Sequence, residues 1–187
     1  MAISTLDQKT ALLVIDLQKG ILALPLVDPV VGVVQRADAL VEAFHRRGLP
    51  VVFVTVAGGA PGRTEWGHGG GELPADFTQL APELDFQPQD HSVTKRTWGA
   101  FTNTDLDDHL RAQGVTQVVI AGVATSMGVE STARHAHEHG FHVALAVDAM
   151  TDMNADAHFN SITRIFPGLG ETGTTKEIVD LLERTGA

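Results

Sequence analysis

Residues 11–16 read ALLVID, five apolar residues in an unbroken run closed by an aspartate. A half-exposed strand alternates apolar with polar side chains. A run that is apolar at every position suits a strand buried on both faces, as in the middle of a parallel sheet. The same texture returns at residues 51–56 (VVFVTV), 118–121 (VVIA) and 143–147 (VALAV). Weaker segments at residues 91–94 and 168–172 bring the strands to five or six.

Helix punctuation fills the stretches between them. Asp28 stands in a capping position and Pro29 in the first helical position, and Val30, Val34, Ala37, Val41 and Phe44 share one stripe before Gly48. Thr104 with Asp107 imitates a capping box ahead of residues 106–113, and Gly114 follows as a terminator. Thr125 or Ser126 opens a further helix that Gly140 closes, and Thr174 with Glu177 opens the last, through Leu182. Strand–helix alternation of this kind predicts an α/β fold, a three-layer α/β/α arrangement on a mostly parallel sheet, with residues 1–187 as one domain.

Charge and composition narrow the functional classes. Against 23 acidic side chains stand 13 basic ones, a formal net charge of −10. No Lys/Arg cluster offers counterion release from a phosphate backbone, so no nucleic acid is expected as partner. The sequence has no cysteine, which removes disulfides, cysteine-ligated zinc and thiol nucleophiles together. The opening MAISTLDQKT lacks a signal-peptide pattern, and no apolar run approaches the ~20 residues that span a bilayer. These features predict a cytoplasmic chain with no membrane partner.

One stretch, residues 57–90, breaks the rhythm: it is rich in glycine and shows no period until Pro74. A loop of that length reads either as a lid over a site or as a surface insertion.

In open parallel sheets, ligands bind beyond the carboxyl ends of the strands. Three segments therefore matter. Asp16 ends the first strand, at the lip of an apolar run, where burial raises a carboxyl pKa and a nearby cation lowers it. That position suits a proton-handling group or, equally, a turn cap. Lys95 and Arg96 follow the weak third strand, as an anion-holding pair or as a solvated edge. Residues 122–128 (GVATSMG) run from a strand into a helix, so Ser126 and its neighbouring N–H groups serve as an N-cap or as donors to an oxyanion. His135, His137, His139 and His142 crowd one helix end, but the order His137-Glu138-His139 does not make a zinc helix, and His68 in the glycine-rich loop lacks an Asp-x-His partner. No metal or other cofactor is expected.

Taken together, ALLVIDLQKG (11–20), KRTWGAFTNTDLDDHL (95–110), GVATSMGVESTARHAHEHGF (122–141) and VDAMTDM (147–153) resemble the isochorismatase-like hydrolase superfamily over nearly the whole chain. The resemblance implies a six-stranded parallel sheet in the order 3-2-1-4-5-6. It implies a homo-oligomer, dimer or tetramer, with the site near a subunit interface, and a non-proline cis peptide between Val123 and Ala124. It further implies a catalytic aspartate, lysine and cysteine. Asp16 matches the aspartate and Lys95 the lysine, but the cysteine position falls on Gly128. Metal-dependent members carry an aspartate and paired histidines after the second strand, a pattern that residues 58–71 lack.

Without the thiolate, hydrolysis through a covalent intermediate is closed, and Ser126, two residues away, is no substitute. Isochorismatases are similar in carrying glycine there, and they cleave a vinyl ether, which needs no nucleophilic side chain. The resemblance thus implies hydrolysis of a small carboxylated substrate of the isochorismate type. Asp16 is expected to be the general acid. Lys95 is expected to orient it and bind a substrate carboxylate or leaving oxygen, and Gly128 to leave room. Arg63 is expected to meet a second carboxylate, and Trp98 and Phe101 to wall the pocket beside Val123 and Ala124. Two other readings stand beside this one: a catalytically silent scaffold that binds a small anion, and a cysteine-independent hydrolase of another substrate.

Overall fold

The computed structural model describes residues 3–66 and 72–184. Six strands, β1 (Thr10–Ile15), β2 (Val51–Val56), β3 (His91–Lys95), β4 (Gln117–Val123), β5 (His142–Thr151) and β6 (Glu171–Gly173), form one sheet in the order β3-β2-β1-β4-β5-β6. Every pairing is parallel. The two weak segments are the two sheet edges. The last one begins at Glu171, three residues later than the sequence suggests, and only three residues pair.

Among the described residues six α-helices accompany the sheet: α1 (Lys19–Leu22), α2 (Val30–Arg46), α3 (Leu106–Ala112), α4 (Glu130–Glu138), α5 (Ala155–Asn160) and α6 (Thr175–Arg184). The central strands serve two cores because successive side chains point to opposite faces. Leu12 and Val14 of β1 join Phe53, Val119 and Ala144 on the side covered by α2 and α6. Ala11, Leu13 and Ile15 join Val52, Ile120 and Leu145 on the side covered by α3 and α4. This double burial is the physical content of the unbroken run ALLVI. Its five residues are fully excluded from solvent.

The caps are a mixed lesson. Thr174 and Glu177 form the expected reciprocal box, Glu177 Oε2 accepting from the Thr174 N–H at 2.7 Å while Thr174 Oγ1 accepts from the Glu177 N–H at 3.3 Å. Asp28 does not cap α2. Pro29 is the flanking residue, and the Asp28 carboxylate accepts instead from the Thr151 hydroxyl at 3.0 Å, at the end of β5.

Of the long irregular stretch, residues 67–71, with His68 among them, lie outside the described residues. The segment from Asp76 to Ala81 is docked on the chain that leaves β1. Lys19 N–H donates to Gln79 O, Gly20 N–H to Phe77 O, and Ala81 N–H to Leu17 O. The buried Gln18 amide adds three bonds: it donates to Val56 O and Phe77 O and accepts from the Val56 N–H.

Candidate active site

The sheet order changes direction between β1 and β4, and the site lies beyond their carboxyl ends. There β1 and β4 approach so closely that a Cβ on Gly122, at φ +126°, would lie 2.0 Å from Ile15 O. Only glycine fits that point of the switch. One residue past β1, Asp16 turns the chain into the left-handed region with φ +51°, which aspartate tolerates better than most side chains.

Lys95 comes from the last position of β3, two strands away, about 10 Å across the sheet. Register places it opposite Val56 at the end of β2. Its side chain crosses that end and donates to Asp16 Oδ2 at 2.7 Å, and to Thr97 O at 3.2 Å. An ammonium has three donors, so one remains for a ligand. Both side chains are buried, Asp16 at 4% and Lys95 at 2% exposure. A buried pair such as this is retained only where each charge has its partner.

Burial raises the Asp16 pKa from 3.8 to about 6, and the attraction of Lys95 and its hydrogen bond act in the opposite direction. The two oxygens differ. Oδ2 holds the ammonium, while Oδ1 is buried with no hydrogen-bond partner. Oδ1 is therefore the oxygen on which a proton can sit.

A cavity of about 170 Å³ opens on this pair, with Ile21, Leu24, Val123, Ala124, Met127 and Gly128 among its walls. The Val123–Ala124 peptide is cis. Beyond it the chain makes one π-helical turn, Thr125–Val129, before α4. Gly128 faces Asp16 across the cavity floor, where any Cβ would press against Asp16 Oδ2.

Of the residues singled out in the sequence, the fold brings Asp16, Lys95, Trp98, Val123, Ala124 and Gly128 to one cavity. Trp98 is half exposed at its rim, its ring 6.4 Å from that of Trp66. Two expectations need correcting. Phe101 does not wall the cavity: it is buried in the core under α3 and α4, against the rings of His139 and Phe141. Arg63 is exposed and lines neither this cavity nor the one beside it. Among the described residues no group of three histidine or acidic side chains is placed to hold a metal.

Sequence reasoning missed Asp152. It is buried at 2% exposure at the foot of β5, where its carboxylate accepts from the Ser126 N–H at 2.7 Å and the Asn154 N–H at 3.1 Å. The Ser126 donor is thus engaged, and Asp152 fixes the turn that carries Gly128. The signal was available: Asp152, like Asp16, is an aspartate beyond an apolar strand.

A buried carboxylate–ammonium pair thus lies beside a small cavity, at the switch point of a doubly wound parallel sheet. The isochorismatase domain family matches residues 10–177, and the chain belongs to that family. Members of the family are hydrolases. An uncharacterised isochorismatase family protein of Bacillus subtilis is 43% identical over 180 residues, covering 92% of this chain and 94% of its own. A second one, from Escherichia coli O157:H7, is 37% identical and covers 92% of this chain and 96% of its own. The solved structure of an isochorismatase family protein from Burkholderia thailandensis superposes with a TM-score of 0.92 at 41% identity, covering 97% of this chain and all of that one. Among the described residues no helix is long and apolar enough to cross a membrane.

Proposed function

We propose that this chain hydrolyses the enol-ether bond of a small carboxylated substrate of the isochorismate type, with Asp16 as general acid. The observation that carries the reading is the state of Asp16. Its pKa is raised to about 6, its Oδ2 is tied to Lys95, and its Oδ1 is unpartnered. A general acid works best with a pKa near the working pH.

The steps balance. The proton of Asp16 passes to the terminal carbon of the C=C bond, whose π electrons form the new C–H bond. The ether oxygen stabilises the resulting oxocarbenium ion. Water adds to the cationic carbon and returns a proton to the Asp16 carboxylate. The hemiketal then breaks its C–O bond: Asp16 protonates the leaving oxygen and takes up the hemiketal O–H proton, giving pyruvate, an alcohol and the protonated acid again. No step needs a nucleophilic side chain, which accords with Gly128 at the cavity floor. Lys95 keeps Asp16 oriented, and its third donor is available to a substrate carboxylate or the leaving oxygen.

The test is pyruvate release from isochorismate by the purified protein beside an Asp16→Asn variant of verified fold. Release that falls by about 10²–10⁴-fold in the variant supports the reading. Equal release from both proteins, or none from either, overturns it.

A further inference from the structure

The cavity at Asp16 is smaller than a typical ligand site of ~300–1,000 Å³. It does not end at its own rim. A second chamber of about 580 Å³ adjoins it, and the two share Ile21, Val56 and Gly58. Leu73 and Phe77 give the outer chamber an apolar wall, and Arg96 is the charged side chain on it.

The charges of the two chambers do not cancel. In the inner chamber Lys95 is matched by Asp16. In the outer one Arg96 is exposed, and its Nη1 donates to Ala57 O at 3.0 Å. No carboxylate among the described residues pairs with it. A guanidinium has five donors in a rigid fork suited to a carboxylate, and the Ala57 carbonyl holds one of them. In a chain of net charge −10, the uncompensated charge of the combined cavity is therefore positive.

We propose that Arg96 is a specificity-determining residue: it binds a carboxylate carried on the part of the substrate that extends into the outer chamber, away from the bond that is cleaved. The proposal rests on the hydrolase reading for its placement relative to Asp16, and a substrate of the isochorismate type, itself a dicarboxylate, carries the second carboxylate. It also supplies from Arg96 the second-carboxylate contact that the sequence suggested for Arg63.

Binding separates this inference from the reaction itself. Isophthalate carries two carboxylates, and 3-carbamoylbenzoate is a near isostere with one of them made neutral. Calorimetric titration of the wild-type chain is expected to favour isophthalate by about tenfold or more, and Arg96→Gln to abolish that preference while Arg96→Lys restores part of it. In turnover of isochorismate, Arg96→Gln is expected to raise KM by about tenfold. A wild-type chain that shows no preference, or a preference that survives Arg96→Gln, overturns the inference, as does failure of isophthalate to bind at about 10 mM. If the preference is lost with Arg96 but no pyruvate is formed, the dicarboxylate site stands and the enol-ether chemistry falls.

Discussion

A Cβ placed on Gly128 would lie 3.0 Å from Oδ2 of Asp16, and also 3.2 Å from Ile15 Cγ2 and 3.3 Å from Val123 O. Two of these neighbours belong to the floor of the sheet and cannot move independently. Gly128→Ala gains up to ~1 kcal/mol of helical preference, but the crowding of a packed site costs about 1–3 kcal/mol. The crowding wins. We expect a lower Tm, and a loss of about tenfold or more in turnover as the carboxylate is displaced. Thermal denaturation and pyruvate release check the two parts.

Asp16 makes stability depend on pH. With its pKa raised from 3.8 to about 6, the folded chain holds a proton between those values that the unfolded chain has released. The stabilisation is therefore full below the unfolded value and is lost as pH rises through about 6, with a slope of at most ~1.4 kcal/mol per pH unit. Urea unfolding of the wild type and Asp16→Asn should show this slope only in the wild type.

Lys95 acts on the same titration. Its charge and hydrogen bond hold the Asp16 pKa down against burial, so Lys95→Gln removes the downward pull. If protonated Asp16 is the working form, kcat/KM of the wild type falls about tenfold per unit above pH ~6. In Lys95→Gln that fall moves to higher pH. An unmoved profile would mean that Lys95 does not tune Asp16.

Asp152 supports the turn through two backbone N–H groups. Asp152→Ala leaves the partly buried Ser126 donor without its acceptor, at a cost of about 1–3 kcal/mol for an unsatisfied buried group, while the exposed Asn154 donor can turn to water. A fall in stability of that order is expected. Activity should fall as well, because Gly128 lies two residues beyond Ser126. Urea denaturation and pyruvate release at a temperature well below Tm separate the two effects.

Trp98 reports on the cavity. It lines the rim, and Trp66 is the other tryptophan of the chain. In a Trp66→Phe variant, isophthalate should change the fluorescence of Trp98 with the same Kd that calorimetry gives. A silent Trp98 would place the ligand elsewhere.

The central strands were legible because five apolar residues in a row leave no polar face. Asp16, Lys95 and Gly128 were legible through motif order and through their positions at strand ends. Phe101 was not, since residues 96–105 have no period from which a face can be read. That Arg96 lines the outer chamber and Arg63 lines neither was equally hidden. Strand register carries the chain at residue 96 past β2, whereas residue 63 belongs to a loop whose course no local pattern specifies. The Asp28 contact was hidden because its partner, Thr151, is 123 residues away.

The Gln18 amide spends both of its ends on backbone groups of Val56 and Phe77, and the Phe77 ring rests on Gly20, where a Cβ would lie 2.0 Å from it. One side of the outer chamber is consequently tied by hydrogen bonds to the end of β2, while the other is a long, jointed arginine. For the dicarboxylate proposed above, such a chamber would be strict about thickness at Phe77 and lenient about where a negative charge arrives. The molecules it admits should vary in length more than in width.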